Sequence, residues 1–537
     1  MKGKVDTYIE SYLYGLPALS GFLLIFSLPP FSFTPLVFIA LVPLYIFIYK
    51  ISTYKAALLG GGLFALIFVG YVVLSMSNSF IWFSDSGIFL TFIKLIVALA
   101  IASVATIISL WMVALVKLKS LGNTSLWRIL FFSSYTFIEY GLQIVFLDYN
   151  FLSVAYAAIP NEFMHVVVSL GGSALLTFVA LLVNAILAEA VILFLNEKYT
   201  YAYVCIGIII VFSLPLFLYQ TFFTTEYPVK SYLSVALIQD QDRSPDSVFG
   251  SVTNGVFTAP VLEEYVQETN GSQPDVIVYP FSPWFGLLSE DFIDNTSTVR
   301  GQIVMTDTIF SQWVQKNIPE DVVFVTWYTT YRAGQYFNEI VYWQNGELIG
   351  LDRKRELFPF FDYNPAWAEK IGITSLPYNA TPGTLSTSGT TIGSIRVGSL
   401  VCSEVTNEHI AKENAVYADV IFAIGSEAMF NNEIASEYNH LNAQLRASEI
   451  HVPVIRSNKF GPSAVFDATG KLIAYMPHRE SGVLYVEVPV PEERKVTIYE
   501  KVGEYFFITL FSSFFALCIV GRITVLVIRK KFIISSR

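Results

Sequence analysis

A succession of apolar runs of about 20 residues, the length a helix needs to cross a bilayer's hydrocarbon core, constrains this chain more than any other feature. The runs fall at about 12–28, 33–49, 56–77, 89–116, 129–147, 164–194 and 201–222, with one more at about 505–528. Only 14% of the 537 residues are charged, against ~25% in ordinary soluble domains, and mean hydropathy is +0.55. Lipid is therefore part of the solvent, and the expected core of the fold is a multi-pass α-helical membrane bundle of about eight spans. A formal net charge of −10 argues against a nucleic-acid surface.

Lysine and arginine in short loops orient such a bundle, because positive loops stay in the cytoplasm. Lys2, Lys4, Lys50, Lys55, Lys117, Lys119, Arg128, Lys198, Arg529, Lys530 and Lys531 all fall in alternate connections. The intervening loops near 29–33, 78–88 and 148–163 have no Lys or Arg and carry Asp85, Asp148 and Glu162. Both termini are thus expected in the cytoplasm, with residues 230–495 on the opposite side. Asp6 and Glu10 near the start, with no clear cleavage site, predict an uncleaved first helix.

The expected organisation is residues 1–228 as an N-terminal bundle of about seven helices, 229–498 as one α/β domain, and 499–537 as a last helix with a short basic tail. Within the domain, strands are predicted at Leu233–Ile238, Val276–Tyr279, Val322–Thr326, Ile340–Trp343, Ile395–Val401, Val420–Ile424, Ala464–Phe466 and Leu484–Val488, all rich in β-branched or aromatic residues. Helical patterns near 252–269, 302–316, 404–415 and 436–450 fall between several of them. That alternation predicts layered α/β architecture.

Three cysteines are too few for a disulfide framework. Cys205 and Cys518 lie in apolar runs and read as small buried hydrophobes. Cys402 is different: it ends the predicted strand Ile395–Val401 and precedes the helical pattern Glu404–Ala415. A lone cysteine is more often inert packing than a nucleophile. A strand-to-helix junction, however, offers free N–H groups and a partial positive charge, which favour a thiolate and can hold an oxyanion.

The second candidate is Lys354, in the run Asp352-Arg353-Lys354-Arg355-Glu356-Leu357-Phe358-Pro359-Phe360-Phe361-Asp362. Read alone, such a charge cluster is a solvated loop. Beside a thiol, the same lysine would favour the anion and neutralise a tetrahedral oxyanion.

Taken together, the motifs resemble the apolipoprotein N-acyltransferase family, a membrane-bound branch of the carbon–nitrogen hydrolase (nitrilase) superfamily. Leu28-Pro29-Pro30-Phe31 and Leu41-Val42-Pro43-Leu44 resemble its first two helices, and the segment from Gly172 to Ala188 resembles its sixth. Lys354 through Asp362 resembles the lysine segment K-x-H-L-V-P-F-G-E, and Cys402-Ser403-Glu404 the nucleophile segment. Leu445-Arg446-Ala447-Ser448-Glu449 and Arg456-Ser457-Asn458 resemble a later helix and strand.

The resemblance implies an extracytoplasmic nitrilase-like αββα sandwich on a bacterial cytoplasmic membrane. It also implies a Glu–Lys–Cys triad, with Cys402 as nucleophile and Lys354 as stabilising cation. The family's base glutamate follows a proline at a strand end; here Pro280 is followed by Phe281, whose ring accepts no proton. Glu356, Phe361 and Asp362 replace the usual His, Gly and Glu, and Ser403 a common aromatic residue. Asp362 and Glu404 are the nearest carboxylates by motif to serve in place of the missing base. Losing a general base costs roughly 10²–10⁴ in rate, so Phe281 alone does not exclude turnover.

The implied reaction takes an acyl chain from a phospholipid onto Cys402 and passes it to the α-amine of a lipoprotein diacylglyceryl-cysteine. Partners are then a phospholipid donor, a lipoprotein acceptor and the membrane, with the domain's pocket expected to face the bilayer and Trp284-Phe285 read equally as an apolar entrance or as a buried core turn. The alternatives are a weakened or inactive paralogue that binds lipid or lipoprotein, and a tethered amidohydrolase.

No cofactor or metal is expected, since the five histidines show no H-x-H or H-E-x-x-H spacing. Glu139, inside a span, is expensive to bury and reads as a helix–helix hydrogen bond; Glu189 reads as reaching the interface. Gly60-Gly61-Gly62 predicts close helix packing. Asn270, Asn295 and Asn379 begin N-x-[ST] sequons.

Overall fold

The computed structural model describes residues 12–77, 87–120, 124–145, 151–223, 227–241, 251–253, 256–269, 271–280, 286–289, 303–372, 378–384, 389–427, 433–503, 509, 512–513 and 516. Two compact units result: residues 1–74, 94–223 and 497–537 form one, and residues 75–93 with 224–496 the other.

The first unit is helical: α1 Gly15–Ser27, α2 Val42–Lys50, α3 Tyr54–Ser77, α4 Gly87–Ser120, α5 Thr124–Val145, α6 Glu162–Leu195 and α7 Tyr199–Phe223. Among the described residues, three helices are long and apolar enough to cross a membrane: Tyr54–Ser75, Lys94–Ser120 and Glu162–Leu195. The expected run at 505–528 lies almost wholly outside the described residues.

The run at 33–49, read from sequence as one span, is broken. A 3₁₀ turn covers Thr34–Phe38, and α2 starts afresh with Pro43 in its first turn. Proline supplies no N–H and suits a helix start, not its interior. Asn184 of α6 satisfies groups freed by the break, accepting from the Leu41 N–H at 2.8 Å and donating to the Val37 carbonyl at 2.7 Å.

Close packing at the triple glycine is borne out: a Cβ on Gly60 would lie 2.3 Å from the Phe47 ring, and one on Gly61 2.7 Å from the Ser109 Cα. Glu139 is buried, and its Oε1 accepts from the Val154 N–H at 2.5 Å. Thr177 of α6 is a further hydrogen-bond neighbour, as expected of a helix–helix contact, beside Ser153 and the backbone of the segment after α5. Glu189 pairs with Arg128 at 2.9 Å and accepts from the Tyr45 hydroxyl at 2.5 Å. Cys205 is only half-buried, against the expectation for a core residue, and Cys518 lies outside the described residues. Helix α6 leaves helical geometry at Gly171 and Gly172, the latter at φ +65°. A Cβ there would lie 2.4 Å from the Tyr499 ring.

The second unit holds two sheets. The eight-stranded sheet contains β1 Val229–Gln239, β2 Val276–Tyr279, β3 Gly286–Ser289, β4 Ile303–Thr306, β5 Val323–Arg332, β6 Gln335–Gln344, β7 Glu347–Arg353 and, added last in the chain, β14 Gly482–Pro491. Its order is β14-β1-β2-β5-β3-β4, and β6 bridges β5 to β7. The six-stranded sheet runs β8 Thr390–Ile392, β9 Ile395–Val401, β10 Val420–Ser426, β11 Val454–Lys459, β12 Ser463–Phe466 and β13 Leu472–Met476 in that order. Its centre, β9-β10-β11, is parallel.

Side-chain alternation builds the layers. Val276 and Val278 face inward with Val325, Trp327, Val401, Ile424 and Ile455, forming the core between the sheets. Ile277 and Tyr279 face outward onto α8 Pro260–Thr269 and α9 Asp307–Asn317. The second sheet's outer face is covered by α10 Glu408–Ala415 and α11 Glu433–Ile450. The unit is therefore a four-layer αββα sandwich.

Candidate active site

The parallel strands β9, β10 and β11 deliver three chain ends to one edge of the second sheet, where open α/β sheets present their chemistry. Cys402 follows β9 directly and adopts φ +55°, a left-handed conformation that a non-glycine residue takes only when its surroundings enforce it. A 3₁₀ turn spans Cys402–Thr406, and α10 begins only at Glu408. The expected helix from Glu404 thus starts four residues late.

Lys354 follows β7 and is almost completely buried. The free solvated loop considered from sequence does not form. Its Nζ donates to Asp362 Oδ2 at 2.5 Å. The same oxygen accepts from the Phe358 N–H at 2.6 Å, and Oδ1 accepts from Asn338 Nδ2 at 2.5 Å. Asn338 in turn receives the Thr329 hydroxyl at 2.9 Å, and its carbonyl receives the Lys354 N–H at 2.8 Å. Strand β6 therefore fixes both ends of the lysine segment.

Glu404 is occupied otherwise. Its Oε1 accepts from the N–H groups of Arg355 at 2.6 Å and Glu356 at 3.2 Å, while Oε2 accepts from the Val401 N–H at 2.8 Å. One carboxylate thereby staples the lysine segment to the nucleophile turn. Arg355 extends the joint, its guanidinium reaching Glu413 at 2.6 Å and Asn414 at 3.2 Å; Asn407 donates to Glu356. Both carboxylates considered as replacements for the missing base are thus already engaged, Asp362 with a cation and Glu404 with backbone.

Burial pushes the Cys402 thiol up to about 11. Lys354 is the largest opposing influence, while the charges of Asp362 and Glu427 push the thiol further up. The expected thiolate is therefore not the resting state: desolvation disfavours the anion more than the lysine and the turn N–H favour it. Glu427, which sequence reasoning missed, ends the neighbouring strand. It accepts from Arg456 Nη2 at 2.7 and 2.9 Å and from Asn439 Nδ2 at 2.8 Å. No local motif marks it; its relevance comes from the parallel register of Val401 with Ile424.

Two family profiles match this chain. The apolipoprotein N-acyltransferase N-terminal domain covers residues 20–186, and carbon-nitrogen hydrolase covers residues 275–497. The chain thus carries an N-terminal domain of the apolipoprotein N-acyltransferase type together with a carbon–nitrogen hydrolase domain.

An apolipoprotein N-acyltransferase of Pasteurella multocida is 23% identical over 504 residues, 89% of this chain and 88% of that protein. One of Sinorhizobium medicae is 25% identical over 248 residues, 43% of this chain and 44% of that protein. The match thus spans about half the length of the first curated relatives. A crystal structure of a Saccharomyces cerevisiae member of branch 10 of the nitrilase superfamily is 18% identical, covering 51% of this chain and 94% of that one at a TM-score of 0.34.

Phe281 and the Trp284-Phe285 pair lie outside the described residues, as do Asn270 and Asn295. Strand β2 matches its predicted bounds and leads through Pro280 toward Phe281. Asn379 is engaged in the fold, accepting from the Asn364 N–H at 2.6 Å and donating to Glu369 at 3.1 Å.

Proposed function

We propose that this protein transfers an acyl chain from a phospholipid, through a thioester on Cys402, to the N-terminal amine of a lipoprotein diacylglyceryl-cysteine. The observation that carries the reading is electrostatic: the buried Lys354 is the strongest influence holding the Cys402 thiol down. In the first half-reaction the sulfur attacks the ester carbonyl and the C–O bond breaks. The thiol proton leaves with the lysophospholipid oxygen. Lys354, whose charge favours the thiolate, would also stabilise the tetrahedral oxyanion, and Asp362 would keep the ammonium in place. The helical unit would hold the enzyme in the lipid where both substrates reside, on a bacterial cytoplasmic membrane with residues 229–498 extracytoplasmic and both termini cytoplasmic.

The test is covalent trapping. Purified protein incubated with phospholipid is expected to gain one acyl mass on Cys402, removable by hydroxylamine. No adduct, under conditions where a glutamate-containing relative forms one, would sink the reading.

A second reading is a weakened or inactive paralogue that binds lipid or lipoprotein. It rests on Phe281 standing where the family's base glutamate is expected, together with the prior engagement of Asp362 and Glu404. Phe281→Glu separates the two: a large gain in acylation rate would mark an otherwise intact but slow site. A tethered amidohydrolase would instead release ammonia from small amides and ignore phospholipid.

A further inference from the structure

Asn458 sits on β11 directly opposite Gly425 of β10, which itself lies beside Cys402. Its side chain is completely buried, and its Oδ1 has no hydrogen-bond partner among the described residues. The amide cannot simply be turned over, because Nδ2 donates to the Gly461 carbonyl at 2.9 Å. An oxygen in that position would face another acceptor. The unfilled acceptor therefore points elsewhere, and Gly425 shows where. A Cβ built on Gly425 would lie 3.6 Å from Asn458 Oδ1 and 3.5 Å from the Cys402 Cα, and among the described residues no other atom beyond its chain neighbours comes within 4 Å. Glycine thus leaves a methyl-sized space between the Cys402 backbone and a buried carbonyl oxygen. Leaving such an acceptor without a donor costs about 1–3 kcal/mol, so a ligand N–H or O–H that fills it is favoured.

We propose that Asn458 Oδ1 is the acceptor that binds and orients the incoming amine in the second half-reaction. This inference rests on the acyltransferase reading. The two substrates differ in the chemistry this oxygen can use: the phospholipid ester presents only acceptors at its reacting group, whereas an amine presents N–H donors. One N–H donated to Oδ1 turns the nitrogen lone pair toward the thioester carbonyl. The lone pair forms the C–N bond, the C–S bond breaks, and the proton lost by nitrogen ends on the departing sulfur. The products are an amide and the regenerated Cys402 thiol.

The experiment uses full-length protein in phospholipid vesicles, acylated in place, with each variant brought to equal thioester occupancy. Two releases are then compared: transfer to a synthetic diacylglyceryl-cysteinyl peptide and cleavage by hydroxylamine. Asn458→Leu removes the acceptor, and Gly425→Ala fills that space while leaving the Asn458–Gly461 bond intact. Both are expected to lower the ratio of peptide transfer to hydroxylamine release about fivefold to tenfold, the size of one lost hydrogen bond. Asn458→Asp, which keeps an oxygen there, should recover part of the loss. Unchanged ratios in both variants, or equal slowing of both releases, overturn the assignment while leaving the transferase intact. Wild-type protein that never forms a thioester overturns both.

Discussion

The lysine segment from Lys354 to Asp362 and the nucleophile turn from Cys402 to Thr406 each depend on one buried carboxylate, and the two acids face different partners. Asp362 faces a cation, with Lys354 Nζ at 2.5 Å. Glu404 faces only backbone, receiving three N–H groups at 2.6 to 3.2 Å. The first arrangement brings a cation whose charge acts on the thiol. The second sets the chain path and brings the two segments together. Charge and position, which a single acid often supplies together, are divided here between two residues.

Breaking the cationic side should have the largest effect. Lys354→Met leaves Asp362 buried without its counter-ion, a loss of about 3–5 kcal/mol. Thermal unfolding should register it, and acyl-adduct formation should disappear. Retention of both wild-type stability and adduct would refute the charge-bearing role.

Asp362→Asn is expected to come next. It keeps an acceptor for Lys354 but removes a negative charge that raises the Cys402 thiol. The sign follows directly. In the wild type the thiol titrates near 11, so iodoacetamide labelling of Cys402 should rise steadily with pH up to about 11. In the variant that midpoint moves lower. An unmoved or raised midpoint would contradict the assigned polarity.

Glu404→Gln should cost about 1–3 kcal/mol by leaving one backbone N–H group poorly served. Because this acid acts on backbone, the labelling midpoint should stay near the wild-type value. A shift as large as that of Asp362→Asn would erase the distinction between the two residues.

Asn338→Ala should give the smallest change, about 1.5 kcal/mol from its bond to the Asp362 carboxylate, read in chemical denaturation. A loss matching that of Lys354→Met would move the anchoring of the segment from the ion pair to Asn338.

Strand β2 was legible to the residue because it is an unbroken β-branched and aromatic run, and β9 was too, although Arg396, Gly398 and Ser399 interrupt its apolar residues. Strands β3, β4, β7, β8, β11 and β13 were not read from local pattern, being short, partly exposed or mixed in polarity. The helical pattern near 252–269 yields a helix only from Pro260, after the small hairpin Ser251–Thr253 with Val256–Thr258. Cys402 and Lys354 were visible because their motifs are contiguous. Asn338, Glu427 and Asn458 were not, because their partners come from strand register across distant segments. The direction of the thiol's shift also escaped the sequence. A helix N-terminus and a lysine both argue for an anion, and only the packed core behind Cys402 reveals that dehydration outweighs them.

The notch at Gly172 bears on assembly order. Tyr499 fits there only because that residue has no side chain and the helix is bent at that point. During synthesis α6 emerges some three hundred residues before Tyr499, so the receiving surface can be complete long before its plug arrives. The tail segment can then close onto helices that are already in place. Any larger residue at 172 would leave the early helices able to form while denying the late segment its seat.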